Sequence, residues 1–189
     1  MVAPLIVALR EKASKIRLAL HRLAPARLAR QLTDGDVDLA IATPDPGQAH
    51  LRTRHLFEES YILIGRPGHP RIEEGTTASG FARLEQAIVS PLGGGFSTPV
   101  DATLQALGHS RAIVASAASF LVIPDIVASS DFVALVPRRL MQDRLSEVAW
   151  IDVPWLSERF QVELIWHERT HGHRGLQWIR ERIHDLVAR

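Results

Sequence analysis

Residues 87–101 read Ala87-Ile88-Val89-Ser90-Pro91-Leu92-Gly93-Gly94-Gly95-Phe96-Ser97-Thr98-Pro99-Val100-Asp101. The stretch holds one strand-to-helix unit. β-rich Ala87–Ser90 enters a Pro/Gly turn, and the turn feeds a helix start. Thr98 is suited to cap that helix, Pro99 to its first position and Asp101 to the positive end of its dipole. Gly108 closes it. Ile113–Ser116 is then a strand, and Ser119 caps a helix running to about Ser129. Pro124 lies early in that helix, which predicts a distorted first turn.

The same alternation extends outward on both sides and makes the chain α/β. Upstream, Pro4 opens a helix carrying Leu5, Ala8, Leu9 and Ala13 at helical spacing, and Ile16–Leu20 alternates like a strand. Pro25 opens a second helix with Leu28 and Leu32, stopped by Gly35. Val37–Ala42 is the best buried strand, ended by the turn at 43–47. Strands follow at Leu51–Phe57 and Tyr61–Gly65, then the breaker at 66–70 and a short helix at Phe81–Leu84. Downstream come strands at Phe132–Val136, Val148–Val153 and Phe160–Trp166. A last helix, about His173–Val187, places Leu176, Ile179, Ile183 and Leu186 on one stripe. There is no internal repeat or low-complexity segment.

Composition narrows the function classes. The 189 residues are 46% hydrophobic and 23% charged, the balance of a globular chain with a real core. Twenty-two Lys+Arg against 21 Asp+Glu leave a formal charge of +1, too even for a surface that holds nucleic acid by itself. With no cysteine, disulfides, thiol nucleophiles and Cys-based zinc sites are excluded. A cytoplasmic setting is permitted by this, and no apolar run reaches the ~20 residues of a membrane span.

Candidate chemistries each meet a simpler reading. Gly93-Gly94-Gly95 lacks the Gly-Lys-Ser/Thr of a phosphate loop, so it is a turn into a helix whose end offers backbone N–H groups to a small anion. His167, His171 and His173 suggest metal, but no Glu-x-x-His or Cys accompanies them. Solvated loop positions account for His171 and His173, while His167 ends a strand. No Gly-x-Ser-x-Gly elbow is present, and Ser90, Ser97 and Ser119 read as turn or cap residues. The Arg138-Arg139-Arg144 cluster reads as a solvated face. No catalytic centre, metal or cofactor is expected.

Several segments in order resemble the effector-binding domain of LysR-type transcriptional regulators. Leu56-Phe57-Glu58-Glu59-Ser60-Tyr61 and Gly68-His69-Pro70 are similar to its first lobe. Ser90–Gly95, Pro99-Val100-Asp101, Ser119-Phe120-Leu121 and Ser130–Leu140 are similar to its second. Trp166–Arg169 and Trp178-Ile179-Arg180 resemble its C-terminal return, and the nearest branch holds nodulation and aromatic-catabolism regulators. Ala117-Ala118 stand where the family often has a proline.

The resemblance implies a type 2 periplasmic-binding-protein-like fold, two αβ lobes around a central ligand cleft, with lobe I at 1–88 plus 159–189 and lobe II at 89–158. It also implies a small organic effector, a homodimer or higher homo-oligomer, and DNA contact only through a winged helix-turn-helix outside this chain. Ligands of α/β sheets sit at carboxyl strand ends. That rule selects Thr43, Ser90, Gly94, Phe96, Thr98, Ser119 and Phe120, and the resemblance adds the end of the return strand, Trp166 or His167. Two capped helix ends, at Thr98 and Ser119, point to an organic anion. The dimer implied pairs the 4–13 helix and 16–22 strand with the partner's second lobe. A first-lobe strand expected before Pro4 is missing, so the chain reads as an N-terminally truncated fragment with a less stable first lobe. The rival reading is a solute receptor or enzyme of the same shape; a receptor needs an export signal and an enzyme a catalytic pair.

Overall fold

The structure is a computed structural model that describes residues 2–13, 15–44, 50–90, 94–156 and 159–187. Its first elements are α1 (Val2–Lys12), α2 (Pro25–Asp34), β1 (Ala40–Ala42), β2 (Leu51–Glu59) and β3 (Tyr61–Gly65). Next come α3 (Ala78–Ala82), β4 (Glu85–Val89), α4 (Pro99–Ala106), β5 (Ala112–Ala117) and α5 (Ile123–Ala128). The chain finishes with β6 (Ala134–Pro137), α6 (Arg138–Met141), β7 (Ala149–Asp152), β8 (Phe160–His167) and α7 (Arg174–Val187). It divides into two compact units, Met1–Glu58 with Phe160–Arg189, and Glu59–Arg159.

The first unit is built on a sheet of order β1-β8-β2, with β1 antiparallel to β8 and Ala42 opposite Glu163. Successive β8 side chains go to opposite faces. Ile165 packs with Leu28 and Leu32 of α2, while Leu164 and Trp166 pack with Ile183 and Val187 of α7. Gly35 ends α2 with φ 87°, a left-handed conformation that favours glycine.

In the second unit β3 lies between β6 and β7, antiparallel to both, and β4 pairs parallel with β5. Val133, just ahead of β6, joins the two ladders by accepting from Ala87 N–H and donating to the Glu85 carbonyl. Ile62 and Ile64 face one core with Ile123, Val127 and Val136, and Leu63 faces the other with Phe81 and Leu104.

Three expectations change. Residues 16–20 are not a strand: among the described residues they pair with no strand, and Leu18 and Leu20 are exposed. β1 begins at Ala40 rather than Val37, because Val37 N–H is drawn to the Gln31 carbonyl in the turn that closes α2. The short helix before β4 starts at Ala78, where Thr77 Oγ1 accepts the Gly80 N–H at 3.0 Å. β3 is the middle strand of the second unit's sheet, and the change from the first unit to the second falls at 58/59. The turn expected at 43–47 and the Pro91–Gly93 segment lie partly or wholly outside the described residues.

Candidate functional site

The parallel pairing of β4 and β5 sets their carboxyl ends side by side, the edge where α/β sheets hold ligands. Ser90 extends the ladder, donating its N–H to the Ala117 carbonyl at 2.8 Å. Gly94 takes φ 72°, and the Gly95 carbonyl accepts Ser116 Oγ–H at 2.6 Å, which fastens the glycine segment over β5. A Cβ at Gly95 would lie 2.8 Å from Ser90 Oγ, so the segment closes onto Ser90. Phe96 is 59% exposed.

Thr98 opens α4 as expected, and its surroundings alter its role. Asp101 Oδ2 accepts the Thr98 N–H at 2.6 Å, completing a capping box. Arg111, at the foot of β5, donates to Asp101 Oδ1 (2.7 Å) and Oδ2 (2.9 Å), to Thr98 Oγ1 (2.8 Å) and to Gln86 Oε1 (3.1 Å). The Arg111 side chain is 3% exposed, so this is a desolvated ion pair. The Arg111 bond, helped by the Thr98 N–H, holds the Asp101 carboxyl below its ordinary range against the opposing effect of burial. The positive end of α4 is therefore already met by the chain's own carboxylate. The reason for expecting an anion at Thr98 is satisfied internally, and Thr98 keeps only its own O–H proton to offer.

Ser119 Oγ accepts the Leu121 N–H at 3.2 Å and starts the tight turn Phe120–Val122, which runs into the six-residue α5. Pro124 stands in the first turn of α5, a place that accepts its ring and missing N–H. The expected longer helix is replaced by this turn, with little dipole behind Ser119. Phe120, half-buried, lines a cavity of about 70 Å³ with Tyr61, Ile88, Val89, Thr98 and Arg111. Burial, with Glu59 nearby, raises the Tyr61 phenol, so it remains a neutral O–H. Ser90, the Gly94–Gly95 segment and Ser119 thus follow or bond to the carboxyl ends of β4 and β5, Thr98 and Phe120 share the cavity beside β4, and Phe96 is exposed.

The first unit does not gather its two. Thr43 follows β1 and is exposed, whereas His167 ends the antiparallel β8. With Ala42 opposite Glu163, they stand at opposite ends of the ladder. His167 Nδ1 accepts the Arg169 N–H at 3.2 Å, a local cap. His173 likewise takes the Leu176 N–H on α7, and His171 Nδ1 accepts from Trp166 Nε1 at 3.4 Å. No group able to hold a metal occurs among the described residues.

Arg111 and Tyr61 were not singled out from sequence. Arg111 meets Asp101 ten positions away across a helix and a turn. The only local signal was Asp101 at a capping position.

The chain matches the LysR substrate binding domain family over residues 1–188. It is 29% identical over 170 residues to the HTH-type transcriptional regulator LinR of Sphingobium indicum, covering 88% of this chain and 55% of LinR. It is similar in fold to the regulatory domain of MexT, a transcriptional activator in Pseudomonas aeruginosa, with TM-score 0.82, 21% identity, and 97% and 90% of the two chains covered. The effector binding domain of a BenM variant overlays with TM-score 0.76 at 14% identity, over 99% and 88% of the chains. The fold is the type 2 periplasmic-binding-protein-like one, and the matched family consists of regulators, not enzymes. The chain spans about half the length of the relatives it matches. With a match from residue 1 to 188, the chain belongs to the LysR family as its effector-binding (substrate-binding) domain.

Proposed function

We propose that this domain binds a small organic effector at the carboxyl ends of β4 and β5, and that in the whole regulator this binding controls transcription through a DNA-reading helix-turn-helix. One observation supports the placement: Ser90, the Gly94–Gly95 segment and Ser119 follow or bond to the carboxyl ends of β4 and β5, and Thr98 and Phe120 line the cavity beside β4. The hydroxyls of Ser90, Thr98 and Ser119 suit a polar head, and Phe96 and Phe120 suit an apolar body. With Asp101 and Arg111 neutralising each other, polarity rather than net charge selects the head here.

The test is a thermal-shift series with small aromatic and aliphatic acids and their amides. At least one compound should raise Tm by a few degrees, since a ligand at ~100 times its Kd adds about 2.7 kcal/mol. Ser119→Trp should abolish that rise with the circular-dichroism spectrum unchanged. A compound that stabilises the wild type and this variant equally would refute the placement. In the cytoplasm the regulator works as a homo-oligomer, to which the exposed Ile6 and Val7 of α1 contribute apolar surface.

A further inference from the structure

Two arginine side chains are taken almost wholly out of water, and they are treated differently. Arg111, in the second unit, is held by the Asp101 carboxylate. Arg180, in α7 of the first unit, is 4% exposed, and among the described residues it has no carboxylate partner. It donates to the carbonyls of His171 (2.6 Å) and Thr170 (3.4 Å), and its guanidinium lies 4.7 Å from the Trp166 ring centroid. A guanidinium has five N–H groups, so two carbonyls and a ring face leave donors unused. A buried cation without a counter-ion is costly.

Beside it is a cavity of about 320 Å³, within the range of small-molecule sites and larger than an inorganic anion fills. Arg54, Trp166, His171, Gln177, Arg180 and Glu181 line it. Arg54 makes no hydrogen bond or ion pair among the described residues. Because His171 Nδ1 accepts from the Trp166 indole, the neutral ring carries its proton on Nε2, as a donor. Two guanidiniums face one carboxylate, so the wall carries a net positive charge. Burial also lowers the Arg180 pKa, which Glu181 only partly offsets.

We infer that this cavity binds a small organic carboxylate, its oxygens taken by Arg180 and Arg54 and its apolar body held by the Trp166 side of the wall. The site lies within the first unit and is separate from the strand ends of the second. Bidentate pairing would supply the counter-ion that Arg180 lacks.

The experiment follows the four tryptophan indole N–H signals of the whole chain by nuclear magnetic resonance, with benzoate and cyclohexanecarboxylate as probes. Benzamide and inorganic phosphate are the controls. At millimolar concentrations a carboxylate should move the Trp166 signal, and the two controls should leave it in place. Arg54→Gln, at an exposed position, should weaken the effect about five-fold or more, and Glu181→Gln should strengthen it. Ser119→Trp, blocked in the other unit, should retain it, which separates this site from the one proposed above. Arg180→Gln should lose it, and the Arg54 and Glu181 variants carry the test if that protein does not fold. Failure of both carboxylates to move Trp166, an equal response to benzamide or phosphate, or unchanged affinity in Arg54→Gln would overturn the inference.

Discussion

Asp101 does three things with one carboxylate: it caps α4, pairs with Arg111 and fixes Thr98. Removing it leaves Arg111 buried beside a helix end that is also positive. Asp101→Asn should therefore cost about 2–4 kcal/mol, at the lower side of buried-pair breakage because Asp101 is partly exposed. The sign of the pH dependence follows from the depressed carboxyl. Its contribution is fully present above the ordinary aspartate range and is lost as pH falls through the lower folded value, in the window below about pH 4. Acid unfolding monitored by circular dichroism should show the wild type losing its advantage over Asp101→Asn only there. A constant difference down to pH 2 would contradict the account. At this scale the sequence was half legible. Thr98, Pro99 and Asp101 announce a capped helix through local spacing. Arg111 is invisible until β5 is laid beside β4, because nothing local marks which arginine will be buried.

At the scale of elements, alternation predicts strands well where a ladder partner exists and poorly where it does not. β3, β5 and β8 emerge close to their expected bounds because each pairs along its length. Residues 16–20 carry the same apolar alternation but pair with no strand among the described residues. Unpaired backbone groups there hydrogen-bond to water instead. Amide exchange should consequently be fast over 17–22 and slow over 62–64 in the centre of the β6-β3-β7 sheet. Protection of 17–22 comparable to that of β3 would show a strand that the structure does not contain. Gly35, Thr98 and Pro124 illustrate what local chemistry does settle. Each acts through its own backbone or cap, so its effect is readable in place.

At the scale of the molecule, the change from one unit to the other carries no local mark in the sequence. The Pro/Gly clusters at 66–70, 91–95 and 154 all fall within the stretch of chain that makes the second unit. The change of unit occurs at Glu59, where β2 passes through Ser60 into β3 with neither proline nor glycine. The Glu59 carboxylate, buried, accepts the N–H groups of Ser60 and Arg139 and so anchors this crossing to α6. Ile6 and Val7 of α1 are exposed, at 39% and 59%, apolar surface that the proposed homo-oligomer would cover. Sedimentation should find a homodimer or larger species at micromolar concentration, shifted toward monomer by Val7→Glu. A monomer throughout would remove α1 from the account of assembly.

The central claim is that the effector is held at the carboxyl ends of β4 and β5. The most direct measurement is a crystal structure of the chain with a compound that raises the Tm of the wild type but not of Ser119→Trp. The compound should contact Ser119, Thr98 and Phe120, with its polar head among the hydroxyls. Electron density for it that touches none of these three residues would contradict the claim.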